Sequence, residues 1–243
     1  MKAIILAAGI ASRLRPLTDH IPKCLLKVGE KSLLERTFDA LIQNGVSDFA
    51  VVTGYKQRQI VDFLTSNYSE QTIKLIYNDK YETTNNVYSL WLACPYVQKE
   101  EVLLLDSDII FDPQIVGALL QSPKQNALAL NKHELGDEEI KVIADSDGKV
   151  LEISKTCSPT EAIGESIGIE KIAPGYFEAL TNELERMIVE EKQDNVFYEK
   201  AFERLIAQDH FFYAIDTTAF FSAELDTAKD FEHAQKLIPP HLH

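Results

Sequence analysis

Two short stretches hold residue types that could handle phosphates. The first is LAAGIASRLRPLTDHIPKCLL, where Gly9, Arg13, Arg15 and Lys23 sit among small and turn-forming residues. Ala7, Ala8, Gly9, Ala11 and Ser12, following Leu6, let the backbone approach a phosphate or a base closely. Arg13 and Arg15 offer fork-shaped donors for phosphate oxygens, and Lys23, held by Pro22, adds a compact charge. The stretch is neither G-x-G-x-x-G nor G-x-x-x-x-G-K-[ST], so the common dinucleotide and P-loop mechanisms do not apply. On composition alone it also reads as a basic surface loop. The second stretch is LLLDSDIIFD, in which Asp106 and Asp108 close an apolar run. Paired carboxylates at the carboxyl edge of a sheet suit Mg²⁺, which takes few protein oxygens and several from phosphate. The same acids would serve equally as turn formers at a solvated strand end.

The charge distribution singles out the first stretch. The 243-residue chain carries a formal charge of −14, yet residues 1–31 hold six basic and two acidic side chains. Net acidity argues against nucleic acid as a partner, since phosphate backbones need a basic face. No run approaches the ~20 apolar residues needed to cross a membrane. AIILAAGIA has the look of a signal-peptide core, but Arg13 and Arg15 follow at once, and it is read as a strand and loop. Cys24, Cys94 and Cys157 are too sparse for a disulfide framework or a zinc pattern, so a reducing, cytoplasmic setting is expected. The six histidines show no metal-ligand spacing, and His241 and His243 are expected in a frayed tail.

Alternating elements must position these residues. KAIILAA is a short apolar run that ends at Gly9 and reads as a buried strand. Ser32 and Glu35 form a capping box ahead of Leu33, Leu34, Phe38, Leu41 and Ile42 at helical spacing, and Asn44-Gly45 ends that helix. DFAVVTGY, KLIYN and NALAL read as strands, and EVLLLDSDIIF as one further strand ending in acids. Helices are expected around Ile60–Leu64, over VYSLWLA with Asn85-Asn86 at its start, and over IVGALLQ. Beyond about residue 139 the pattern changes to a hairpin around Asp147-Gly148 and the strand SIGIEKI. Helices from Tyr176 to about Glu191 and from Phe197 to Ile206 come next, then strands FFYAI and FSAEL and a closing helix. The fold class is therefore α/β, a mostly parallel central sheet with helices on both faces and a small hairpin-bearing C-terminal part. One domain over 1–243 is expected, with a core at 1–138 and a second part at 139–243.

The opening stretch resembles the signature of the sugar-phosphate nucleotidyltransferases, L-A-A-G-x-G-x-R-L-x-P-L-T-x-x-x-P-K, with Gly9, Arg13, Pro16, Thr18, Pro22 and Lys23 in register. It departs at Ala11, where the family usually has a second glycine. YNDKYETTNNVYSLWLA is similar to the small bacterial cytidylyltransferase branch that acts on phosphocholine and 2-aminoethylphosphonate. The resemblance covers most of the chain, more weakly after residue 130, and implies a Rossmann-like nucleotidyltransferase fold. It implies base reading by Asn86 and Ser89, although Asn85 and Asn86 would also cap a helix. It favours Asp108 as a metal ligand, with Asp106, on the same strand face, as second choice and otherwise part of the nucleotide site. FSAELDTAKDFEHAQKLI matches the family's closing pattern, which makes Asp226 the second metal ligand; Asp226, Thr227 or Asp230 would also cap the last helix. Glu224 and Asp230 match that pattern without a role.

The resemblance implies Mg²⁺-dependent nucleotidyl transfer from CTP, with pyrophosphate released and catalysis resting on positioning and charge neutralisation. It places Arg13 on the β- and γ-phosphates, and Lys23 between the α-phosphate and the acceptor. Lys155 matches a lysine that binds the acceptor's phosphate, and reads equally as an exposed strand-end lysine. Tyr198 and Glu199 match an aromatic-acid pair near an acceptor ammonium; Glu165 is a second candidate, and Glu199 would otherwise complement a helix dipole. The single Trp91 leans the acceptor toward an aminoethyl group over choline. A sugar-1-phosphate nucleotidyltransferase and a non-catalytic nucleotide-binding relative are the alternatives. Oligomeric state and CTP against UTP are left open.

Overall fold

The computed structural model describes residues 1–97 and 99–242. Strand β1 (Lys2–Ala7) is followed by a short ribbon, β2 (Lys27–Val28) and β3 (Lys31–Ser32). Then come α1 (Leu33–Gln43), β4 (Asp48–Thr53), α2 (Gln57–Asn67), β5 (Thr72–Tyr77) and α3 (Asn86–Ala93). Next are β6 (Val102–Asp106), β7 (Ile109–Phe111), α4 (Gln114–Gln121) and β8 (Ala127–Asn131). The later part holds β9 (Lys141–Ala144), β10 (Val150–Ser154), β11 (Gly164–Ile172), α5 (Pro174–Glu185) and α6 (Glu199–Ile206). β12 (Tyr213–Asp216), β13 (Ser222–Glu224) and α7 (Ala228–Leu237) close the chain.

The main sheet has nine strands. β5, β4, β1 and β6 lie side by side and parallel. β11 then runs antiparallel between β6 and β8, and β12 pairs parallel to β8. The β9–β10 hairpin pairs with the start of β11. One sheet thus takes strands from both sides of residue 139. Alternation along β1 sends Ala3, Ile5 and Ala7 into one apolar layer and Ile4 and Leu6 into the other. Helices α1, α2 and α4 cover the first face, through Phe38, Leu64 and Ile115 among others. Helices α3, α5 and α6 cover the second, through Leu90, Leu180 and Phe202. Helix α7 packs separately, Ala234 against Val28, Leu33, Ile110 and Leu225. No helix among the described residues is long and apolar enough to cross a membrane.

Local signals govern many boundaries. Ser32 and Glu35 exchange both capping-box bonds at the start of α1. Its end is closed by Gly45 at φ 83° and by Val46 N–H donating to Leu41 O. The hairpin turns through Gly148 at φ 77°.

Several expectations need correction. EVLLLDSDIIF is not one strand: β6 ends at Asp106, and β7 leaves the sheet to pair with β13. The two acids therefore share no strand face. The helix expected from Tyr176 starts at Pro174 and finishes as a π-helical turn over Arg186–Glu190, and the next begins at Glu199. His241 is not frayed, since its Nε2 lies 2.9 Å from Asp112 Oδ2; His243 lies outside the described residues. Cys24, Cys94 and Cys157 are all buried free thiols, in keeping with the absence of a disulfide pattern.

Strand β11 shifts register between Ser166 and Glu170, and Gly168 at φ 70° makes the irregularity. A Cβ there would lie 2.7 Å from Asp106 Oδ2 and 3.3 Å from Ile109 Cδ1. Gly168→Ala is therefore expected to destabilise the fold by more than about 1 kcal/mol, through positive-φ strain plus displacement of Asp106. Urea unfolding of the variant measures this, and an unchanged midpoint would remove the glycine's role.

Candidate active site

The parallel strands β1 and β6 end at a cleft of about 790 Å³. Of the residues singled out by sequence, Leu6, Ala7, Ala8, Gly9, Arg13, Lys23, Asn86, Ser89, Asp106, Asp108, Lys155, Glu165, Glu199 and Asp226 line it. Tyr198 does not.

The loop after β1 reaches the cleft in a compact form. Ala11, at the usual second glycine, keeps the left-handed conformation (φ 51°, ψ 52°), at a cost for an L-residue of about 1–2 kcal/mol. Its carbonyl accepts from Leu14 N–H and from the Thr18 hydroxyl, at 3.1 and 3.0 Å, which holds the turn. Gly54 comes close to the same loop, because a Cβ there would meet Ala8 O at 2.6 Å. Pro22 starts a single 3₁₀ turn whose Cys24 and Leu25 are buried, and Lys23 points into the cleft.

Lys23 joins two acids from distant parts of the chain. Its Nζ lies 2.9 Å from Asp108 Oδ2 and 2.8 Å from Asp226 Oδ1. Arg13 also pairs with Asp226. The β7–β13 ribbon makes this possible: Glu224 pairs with Ile109, and Leu225 N–H donates to Asp108 O at 3.0 Å. Asp226 then lies next to Asp108 and just before α7. Thr227 and Asp230 supply both bonds of the α7 capping box, so Asp226 is free of that task. Burial works against the Lys23 charge, but Asp108 and Asp226 outweigh it and raise its pKa. Burial alone would raise Asp226, and Lys23, Arg13 and Lys155 reverse that and lower it.

Glu224 completes a third corner that sequence matching had left without a role. Carboxylate oxygens of Asp108, Glu224 and Asp226 all lie within 4.8 Å of one another. Glu224 is an exposed residue, with Asp108 and Asp226 close to its carboxylate. Desolvation, then the charges of Asp108 and Asp226, push it up to about 8. A carboxylate-only donor set on one side of an open cleft fits a hard divalent cation that keeps ligand positions for phosphate or water. Asp106 is not in this set. Its Oδ2 accepts from the Tyr198 hydroxyl at 3.2 Å, and burial followed by Asp108, Glu199 and Glu170 holds its pKa well above the usual range.

At the other end of the cleft, Lys155 Nζ lies 4.7 Å from the Phe197 ring centroid and 3.4 Å from Glu138 Oε2. Glu138 also lies 3.5 Å from Arg13. Glu165 Oε2 lies 2.7 Å from His133 Nε2. Glu199, the first residue of α6, is 5 % exposed, and its Oε2 has no protein partner. Burial pushes its pKa up to about 7, against a smaller lowering by Lys155.

Tyr198 is a correction. Its side chain is fully buried behind the cleft, donating to Asp106 and lying 3.3 Å from Glu170 Oε2, while its backbone N–H donates to Asn86 Oδ1 at 2.9 Å. Phe197 is the ring of this pair that lines the cleft, where Tyr81 also lies. The two are adjacent at an irregular entry to α6, where helical spacing does not say which ring turns inward. Around α3, Ser89 and Asn78 are buried and also line the cleft, and Asn85 Oδ1 accepts from Asn86 N–H at the helix start. Asn78 and Phe197 were not anticipated; both lie in stretches whose neighbours were.

Over 111 residues the chain is 41 % identical to choline-phosphate cytidylyltransferase of Streptococcus pneumoniae, a match covering 44 % of each chain. Over 161 residues it is 27 % identical to 2-aminoethylphosphonate cytidylyltransferase of Lancefieldella rimae, covering 66 % of this chain and 63 % of that one. Among solved structures, CTP:phosphocholine cytidylyltransferase from Streptococcus pneumoniae superposes with a TM-score of 0.80 at 25 % identity, covering 98 % of this chain and 99 % of the other. The nucleotidyl transferase model matches residues 2–137, and the chain belongs to the nucleotidyl transferase family.

Proposed function

We propose that the chain transfers CMP from CTP to a small phosphorylated or phosphonate amine, releasing pyrophosphate with the aid of Mg²⁺. The observation that carries this reading is Glu199: a buried carboxylate with an unpartnered oxygen on the same cleft as Lys23 and the three converging acids. A buried acceptor oxygen of that kind is costly unless a ligand supplies a donor, and an ammonium group would.

An acceptor phosphate or phosphonate oxygen attacks the α-phosphorus in line; that P–O bond forms as the bond to pyrophosphate breaks. The acceptor is already an anion, so no strong base is required. Asp108, Asp226 and Glu224 are the residues that would hold Mg²⁺, which supplies charge neutralisation on the triphosphate. Lys23, which pairs with Asp108 and Asp226, would place its ammonium by the α-phosphate and the attacking oxygen. Arg13 meets the leaving pyrophosphate, and Lys155 meets the acceptor's anionic end. Glu199 pairs with the ammonium. Phe197 already lies against Lys155, which supports a primary ammonium over a quaternary one that needs free aromatic faces.

Incubation with each nucleoside triphosphate and a panel of aminoethylphosphonate, phosphocholine and sugar-1-phosphates tests the reading through pyrophosphate release. Turnover with sugar phosphates alone would overturn it. Lys23→Ala is expected to lower kcat by a factor of about 100 or more with the fold intact, because its interaction strengthens as charge moves; a near-normal kcat removes Lys23 from the chemistry. Asp108→Asn and Asp226→Asn should each raise the Mg²⁺ concentration for half-maximal rate, and together cost less than the two single effects combined. A metal titration of the three variants reads this directly.

Glu199 gives a signed pH dependence. With its pKa raised to about 7 it is neutral below that value and a carboxylate above it. KM for the amine acceptor should therefore fall as pH rises through about 7. Glu199→Gln should raise that KM roughly tenfold and flatten this part of the profile, with KM for CTP nearly unchanged. An acceptor KM indifferent to the substitution would dismiss the ammonium site.

A further inference from the structure

We propose that Asn78 sets base specificity: it fixes Ser89 as a hydrogen-bond donor toward the nucleobase, which selects cytosine over uracil. The inference rests on the nucleotidyl-transfer reading and adds a residue to which neither the signature nor the closing pattern points.

Hydrogen-bond polarity carries it. Asn78 follows β5 and is buried, and Oδ1 accepts from Lys80 N–H at 2.9 Å. A backbone N–H can only donate, so this bond assigns the oxygen and leaves Nδ2 as the donor end. Nδ2 donates to Thr84 Oγ1 at 3.2 Å and to Ser89 Oγ at 3.1 Å. Thr84 sends its own proton to Lys80 O at 2.9 Å. Ser89 receives a proton from Asn78, so its own hydroxyl hydrogen must point elsewhere. Among the described residues that hydrogen has no acceptor, and Ser89 lines the cleft. Ser89 therefore offers the cleft a donor.

Asn86 is oriented in the same sense. Its Oδ1 accepts from Tyr198 N–H, which leaves its amide NH₂ as the free end. Asn86 and Ser89 are three residues apart on α3 and share a helix face. Both groups present donors. Cytosine has two adjacent acceptors, N3 and O2, on its pairing edge. Uracil has a donor at N3, which would face a donor and leave both protons unsatisfied in a dry site. The polarity of the reading edge is set before any nucleotide arrives, by two N–H groups of the backbone acting through two asparagines.

Replacing Asn78 by an isosteric acceptor reverses this logic. In Asn78→Asp the carboxylate still accepts from Lys80 N–H but has no proton to give. Ser89 then donates inward and shows lone pairs to the cleft, where uracil N3–H is the better match. The experiment is calorimetric binding of Mg²⁺–CTP and Mg²⁺–UTP to the full chain without acceptor, for the parent, Asn78→Asp and Ser89→Ala, with melting temperatures as a fold control. The parent should prefer CTP by roughly tenfold or more. Asn78→Asp should lower the CTP-to-UTP affinity ratio by about tenfold or more, with UTP binding improved in absolute terms. Ser89→Ala, which keeps the fold without the donor, should lower the ratio by weakening CTP alone. A folded Asn78→Asp with an unchanged ratio, or one that loses both nucleotides equally, overturns the inference while leaving nucleotidyl transfer standing. Should Asn78→Asp not fold, an unchanged ratio in Ser89→Ala overturns it in the same way. A parent that binds neither nucleotide overturns the functional reading and this inference together.

Discussion

A lysine ammonium largely enclosed by protein needs compensating negative charge, and Lys23 finds it in Asp108 and Asp226. Desolvating three charges is expensive, and it succeeds only where geometry and further hydrogen bonds are good. That requirement ties together parts of the chain 203 residues apart. The turn after Pro22 must hold Lys23 upright, β6 must end at Asp106, and β7 must swing away to meet β13. Removing any of these would leave a charge without its partner. Asp108 and Asp226 are also two of the three acids that would hold a divalent cation under the proposed function.

The sheet makes room for this grouping through β11. An antiparallel strand between β6 and β8 interrupts an otherwise parallel set, and its irregularity at Gly168 lets Asp106 lie close against it. Asp106 lines the cleft, and Glu170 and Tyr198 lie buried behind it. Burial pushes both carboxylates well above their usual range, and the Tyr198 hydroxyl lies within hydrogen-bond reach of both. Glu199 lines the cleft with one oxygen open.

Two kinds of device meet at the cleft. Around α3, backbone N–H groups fix the polarity of the Asn78 and Asn86 amides. Elsewhere along it charge is the device: Lys155 pairs with Glu138, and Glu165 with His133. Ala11 shows at the loop how hydrogen bonds alone can hold a demanding geometry. Its left-handed backbone is retained without glycine because Thr18 and Leu14 hold its carbonyl.

Short-range chemistry was enough to read much of this molecule from its residues in order. The Ser32–Glu35 capping box, the turn at Asn44-Gly45, the hairpin at Gly148 and the loop from Gly9 to Lys23 depend on neighbours within a few positions, and each appears where its pattern lies. The parallel core came from strands alternating with helices, and the family from motifs local to residues 2–137. Pairing across the chain was a different matter. Whether DSDIIF continues one strand or breaks into two depends on β13, far later in the chain, which is why Asp106 and Asp108 part company and Glu224 joins the acids. Which of Phe197 and Tyr198 faces the cleft depends on how α6 meets Asp106, Glu170 and Asn86. A carboxylate or an asparagine has the same chemistry wherever it stands in a sequence. Its pKa, and the end of its amide that faces a ligand, are decided by long-range neighbours, and only the tertiary structure brings those together.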